Sequence, residues 1–157
     1  MCCFRMCSRY NVIHLDISSF WDNFKDNIIE KIEDYIYEDF KASFGDTLNY
    51  EYNLSYNLMK IYQNTQNPFI IIIDEWDCIF REKKMDTTLQ VQYLDFLRNL
   101  LKDRAYVNLA YMTGILPIKK YGTHSALNMF DEYSMTDARR LSEYVGFTED
   151  EVKTLCE

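Results

Sequence analysis

The sequence holds little of what breaks a chain into flexible pieces: four glycines and two prolines in 157 residues. So few leave scant material for long linkers and fit a chain made mostly of regular elements, and 48% apolar residues argue against extended disorder. Basic residues are also scarce, 17 against 25 acidic ones, for a net charge of −8. Nucleic-acid backbones are held by clustered Lys and Arg that release counterions, so a broad footprint of that kind is not expected; a local contact stays open. No apolar run approaches the roughly 18 residues of a bilayer-spanning helix, the longest being residues 69–73, so no membrane partner is expected. Cysteine lacks pattern rather than number. There are five, an odd count, and Cys2, Cys3 and Cys7 crowd the start without CxxC spacing, which reads as reduced thiols instead of a zinc site or disulfides. The opening MCCFRMCSRY has no long apolar middle or small-residue cleavage site, so a cytoplasmic location is the expectation.

What is present is an alternation of strand-like and helix-like segments around one core. Residues 12–17 (VIHLDI) read as a first strand, with Ser18–Ser19 at a helix start and Ser19 and Asp22 spaced as a capping box. Phe24, Ile28, Ile32, Ile36 and Phe40 recur every fourth residue along one side of a long helix. Leu54, Leu58 and Ile61 mark a shorter helix stopped by Pro68. Residues 69–73 (FIIII) are apolar at every position, as expected of a central parallel strand covered on both faces. After a charged loop at 81–86, Thr87 or Thr88 opens a helix with Leu89, Tyr93, Phe96, Leu97, Leu100 and Leu101 on its buried stripe, and residues 107–113 form a third strand. A short helix at 125–130, a brief fourth strand at 132–135 and helices at about 137–144 and 149–156 complete the reading, the last with Thr148 and Glu151 as a capping box. Strands joined by long helical segments pair in parallel, so the class is α/β in three layers.

Ligands of open parallel sheets bind at the carboxyl ends of the strands. The first strand ends at Asp16, the apolar strand at Asp74–Glu75–Trp76–Asp77 and the third at Thr113–Gly114. Four apolar residues followed by Asp–Glu is the Walker B pattern: the Asp orients magnesium's water shell, and the Glu activates the water that attacks a terminal phosphate. Asp74 would be the magnesium-orienting, cofactor-binding residue, acting through water, Glu75 the catalytic base and Thr113 a sensor of the terminal phosphate. The bland alternatives are an acidic pair that only solvates a strand end and a threonine hydroxyl that satisfies a turn.

Longer segments carry a resemblance: HLDISSF at 14–20, FIIIIDEWDCIFRE at 69–82, YLDFLRNLLKD at 93–103, LAYMTGILPIKKYGTHSALNMFDEYSM at 109–135 and YVGFTEDEV at 144–152. Together they resemble the predicted AAA-ATPase-like family of bacteria, whose members often carry a C-terminal nuclease-like domain. The resemblance implies a P-loop NTPase-like parallel sheet in which the Walker B strand lies between the sensor strand and the strand ending at Asp16. It implies an incomplete one here, since the family's first strand and GxxxxGK[ST] phosphate loop are missing: none of Gly45, Gly114, Gly122 and Gly146 precedes Lys–Ser or Lys–Thr. On this reading residues 11–157 form a partial ATPase-like domain behind a poorly defined segment at 1–10. Mg-ATP is the cofactor implied for a complete domain, with weak or absent binding by this chain and negligible turnover. A partner chain supplying the Walker A segment, or self-association through the unfilled sheet position, follows as an expectation. The alternative function is a non-catalytic binding or regulatory module that keeps the fold.

The remaining polar residues have simpler readings. Asp77 reads as a cap for the segment after it, Arg81, Lys83 and Lys84 as a solvated loop, and Lys119, Lys120 and His124 as surface positions. His14 is explained by packing, and Arg139 and Arg140 sit where some ATPases place a phosphate-sensing arginine.

Overall fold

A computed structural model describes residues 2–7, 9–82, 87–117, 128–134 and 148–156. Its centre is a sheet of four strands in spatial order β1-β2-β3-β4: β1 (Cys2–Cys7), β2 (Tyr10–Asp16), β3 (Phe69–Asp74) and β4 (Val107–Met112). β2, β3 and β4 run parallel, as the long connections require, and β3 lies in the middle of the three. β1 is antiparallel to β2 and precedes it along the chain by two residues. A tight reversal allows this where a crossover would not.

Register places one face of the sheet in the core. Ile13 pairs with Ile71 and Leu15 with Ile73, and these four side chains, with Phe69, are fully buried. The helices supply the other half of that core: Phe20 and Trp21 from α1 (Ile17–Phe24), Ile28, Ile32, Ile36 and Phe40 from α2 (Ile28–Phe44), and Leu54, Leu58 and Ile61 from α3 (Leu54–Thr65). α5 (Thr87–Leu101) buries the six residues of its predicted stripe, Leu89, Tyr93, Phe96, Leu97, Leu100 and Leu101. The opposite sheet face is less covered than the all-apolar run at 69–73 implies. Ile70 and Ile72 are only half-buried, and Leu109 and Tyr111 on β4 are 51% and 52% exposed. Among the described residues the three-layer expectation is therefore met on one face only.

The predicted single helix from Phe20 is two. Lys25 adopts φ 41°, a left-handed conformation, and a 3-10 turn at Lys25–Asn27 separates α1 from α2. The Ser19–Asp22 capping box is replaced by Asp16, which ends β2 and whose carboxylate accepts from the Ser19 N–H at 3.2 Å. A carboxylate already standing at the strand end meets the first free N–H groups of the helix directly. α3 is capped by Asn53 and closed by Gln66 at φ 59°. Just beyond, the Pro68 carbonyl accepts from Asn11 N at 2.9 Å, and the Asn11 side chain donates to Asn67 O at 2.9 Å, which pins the register of β2 on β3.

The loop after β3 turns into a short helix, α4 (Cys78–Glu82), so Arg81 belongs to a helix rather than a solvated loop. α6 (Glu149–Cys156) has the predicted capping box, with Thr148 N donating to Glu151 Oε2 at 2.7 Å and Glu151 N to Thr148 Oγ1 at 3.3 Å. The brief strand expected at 132–135 shrinks, among the described residues, to a single bridge at Ser134; the helix at 137–144 and residues 125–127 of that expected at 125–130 lie outside them, and residues 128–130 are not helical.

Candidate functional site

Because β2, β3 and β4 run parallel, their carboxyl ends meet on one edge, and the register sets Asp16 directly beside Asp74. On the other side Thr113 follows β4. Its N–H donates to Ile73 O and its carbonyl accepts from Trp76 N, both at 3.0 Å, so it extends the β3–β4 pairing by one residue. That extension carries its hydroxyl to the carboxylate of Asp74, where Thr113 Oγ1 donates to Oδ1. The Glu75 N–H lies between them, 3.1 Å from Asp74 Oδ1 and 3.4 Å from Thr113 Oγ1. Asp74, Glu75 and Thr113, singled out in the sequence, thus stand together, with Asp16 beside them.

Glu75 makes the turn out of the strand at φ 50°. A non-glycine residue there carries strain of order 1–2 kcal/mol, which the surrounding contacts must offset. The turn sends Trp76 (3% exposed) and Asp77 (fully buried) inward and leaves the Glu75 side chain at the surface. Asp77 does not serve as a cap for α4. Its Oδ2 accepts from Ile115 N at 3.1 Å and Leu116 N at 2.8 Å, tying the turn after β3 to the segment after β4. Gly114 fits between them because it has no side chain: a Cβ there would come within 2.7 Å of Asp77 Oδ1 and of Trp76 Cδ1 and Nε1. Arg81, one helical turn past Asp77, bonds to Glu75 Oε2 through Nη2 and holds Nε 3.4 Å from Asp77 Oδ2.

Electrostatically the edge is acidic, and among the described residues Arg81 is the cation that touches it. Arg81 is partly desolvated, which alone would weaken its charge, but the bond to Glu75 and the nearby Asp77 outweigh this and raise its pKa above the ordinary arginine value. Burial alone would likewise raise the pKa of Asp16. Hydrogen bonds from Ser19 Oγ at 2.6 Å, Ser18 Oγ at 2.7 Å and Ser19 N overcome it and lower the value from 3.8 to about 2. Asp16 is therefore ionised but committed to starting α1, whereas Asp74 is exposed. Among the described residues no group of three or more His, Cys, Asp and Glu is arranged to hold a metal. Asp74 alone suits a magnesium ion that keeps its waters and arrives bound to phosphates, because such an ion needs only one or two carboxylates from the protein.

Two open cavities lie elsewhere. One of about 550 Å³ is lined by Glu33, Ser55, Leu89 and Phe96, and one of about 830 Å³ by Tyr50, Tyr56 and Lys60; neither contains Asp74, Glu75 or Thr113. Position at the strand ends outweighs cavity size here, because ligands of parallel sheets bind at that edge. Sequence reasoning missed Asp77 and Arg81 as parts of the site, although their four-residue spacing directly after an acidic pair was a usable signal. His14 is half-buried on the less covered sheet face, while Lys119, Lys120, His124, Arg139 and Arg140 lie outside the described residues.

No curated protein and no solved structure matches the chain. The family model described as predicted AAA-ATPase does match, over residues 3–124, which takes in β2, the acidic turn, Thr113 and nearly all of β1. A match over well more than half of its length places this chain in the AAA-ATPase-like family.

Proposed function

We propose that the acidic edge is the hydrolytic half of an ATPase site. Asp74 orients the water shell of magnesium, Glu75 takes the proton of the attacking water, and Thr113 reports on the terminal phosphate through its bond to Asp74. The observation that carries this reading is the Thr113–Asp74 hydrogen bond, which joins the ends of two neighbouring parallel strands directly after an all-apolar strand. Magnesium, when bound with the nucleotide, supplies the positive charge that the outer phosphates and the carboxylates share. The protein's part is to fix the direction of each carboxylate.

The other half of such a site, a nest of backbone N–H donors with a Lys and a hydroxyl, has no counterpart in these 157 residues, because no glycine precedes Lys–Ser or Lys–Thr. Asp16, Asp74, Glu75 and Asp77 repel a polyphosphate when those donors are lacking. This chain by itself should bind Mg-ATP weakly and turn it over negligibly, and a phosphate-loop segment from elsewhere would complete the site. The far side of β4, last of the described strands, is where such a segment would add its strand. The test is ATP turnover by this chain mixed with a strand–GxxxxGK[ST]–helix segment. Turnover above either component alone, lowered about 100-fold or more by Glu75→Gln, is expected. No gain on mixing ends the completion idea, and micromolar binding with Glu75-dependent hydrolysis by this chain alone refutes the weak-binding statement.

A further inference from the structure

Away from the strand-end edge, the chain exposes three tyrosine rings close together: Tyr50 is 61%, Tyr52 49% and Tyr56 39% exposed. Tyr52 stacks on Tyr56 with ring centroids 4.3 Å apart, and Tyr50 leans on Tyr37 of α2 at 5.3 Å. Tyr50, on the loop before α3, and Tyr56, on α3 itself, wall the open cavity of about 830 Å³. The loop is held from inside. Asn57 is fully buried; its Oδ1 accepts from Asn49 N at 2.8 Å, and its amide protons are shared among Asn49 O at 3.0 Å, Tyr37 Oη at 3.1 Å and Tyr52 O at 3.2 Å. A buried amide so fully used fixes the loop before any ligand arrives, which removes an ordering cost from binding.

The charges of the cavity narrow its occupant. Asp46 and Glu51 stand exposed on the loop side, and among the described residues neither is in a salt bridge. Lys60, on the α3 side, already holds its ammonium 5.5 Å from the centre of the Tyr56 ring. Aromatic faces are negative at their centres, so rings beside carboxylates attract cations; a guanidinium, flat and weakly hydrated, both stacks on a ring and pairs with a carboxylate. The same carboxylates repel nucleic-acid phosphates, and a second copy docked face to face would set acid against acid. We propose that this groove binds an extended, arginine-bearing peptide segment of a partner protein, with the guanidinium stacked on Tyr50 and paired with the carboxylates of Asp46 and Glu51. None of Asp16, Asp74, Glu75 and Thr113 lines the groove, so peptide binding and ATP hydrolysis stand or fall separately.

The probe is acetyl-PRPRP-amide, kept extended by its prolines, titrated into the isotope-labelled full chain and followed by amide chemical shifts. Saturable shifts confined to the loop and α3, with Tyr50, Glu51 and Lys60 among them, are expected, together with weaker binding of acetyl-PKPKP-amide and none of acetyl-PEPEP-amide. Tyr50→Leu, which keeps apolar bulk but has no aromatic face, and Glu51→Gln should each weaken PRPRP binding about two- to fivefold. Both side chains are exposed, so neither substitution should disturb the fold. The proposal is overturned by the lack of any saturable shift at millimolar probe, by shifts spread over the whole acidic surface, or by PKPKP binding as tightly as PRPRP. Binding that survives both substitutions unchanged overturns it too. So does equal binding of acetyl-PPPPP-amide, which would make the groove a proline site with no use for its charge.

Discussion

Asp16 shows how one side chain can be both close to the site and unavailable to it. Its two oxygens accept from Ser18, Ser19 Oγ and Ser19 N, which starts α1 and fixes where β2 stops. Removing the cap with Asp16→Ala should destabilise the chain by about 1–2 kcal/mol, and Asp16→Asn, which still offers one acceptor, by less. The charge gives the effect a pH dependence of known sign. The carboxyl has a folded pKa of about 2 against an ordinary 3.8, so its stabilisation is complete above pH 4 or so and is lost as pH falls through about 2. Urea unfolding at descending pH should show the unaltered chain and Asp16→Asn converging across that window. A gap between them that stays constant would contradict the cap's ionic character.

At the scale of elements, the turn after β3 and the segment after β4 behave as one piece. Asp77 holds Ile115 and Leu116, Trp76 N holds Thr113 O, and Gly114 fills the space between. Gly114→Ala forces a methyl group against a carboxylate oxygen and an indole ring, and should destabilise the chain by about 1–3 kcal/mol. It should also shift the Thr113 hydroxyl off Asp74, visible as chemical-shift changes in the amides of Glu75 and Thr113; unchanged shifts there would argue that the two segments move independently. This coupling was not legible in the sequence, because its bonds join residues 37 to 39 positions apart and no local pattern announces them. The stripe of α5 was legible, since burial on a helix repeats with the helix and all six residues declare it. The break at Lys25 was hidden for a related reason. Phe24 and Ile28 keep the four-residue spacing across it, so the apolar pattern runs on while the backbone turns. The strand at 69–74 was legible in place and direction, but its half-buried Ile70 and Ile72 were not, because an all-apolar run does not say which face the helices cover.

For the whole molecule the determining feature is the end of the described sheet at β4. β4 comes last in the order of the four described strands, and it presents Leu109 and Tyr111, each about half exposed, on the less covered face. An end strand that carries exposed apolar side chains can template another strand, whether from a phosphate-loop segment or from a second copy of this chain. In the absence of the former, the latter should take its place, so the chain should associate as its concentration rises. Each of the two side chains contributes about 1 kcal/mol on burial, and a lysine at an edge opposes pairing by its charge. Leu109→Lys with Tyr111→Lys should therefore weaken association by more than about tenfold. The same double substitution should also abolish any turnover gained by mixing with a phosphate-loop segment, because both partners would compete for one edge. Sedimentation velocity over a concentration series separates the possibilities. A chain that stays monomeric throughout and unfolds in one sharp transition would show that β4 is not an interaction edge.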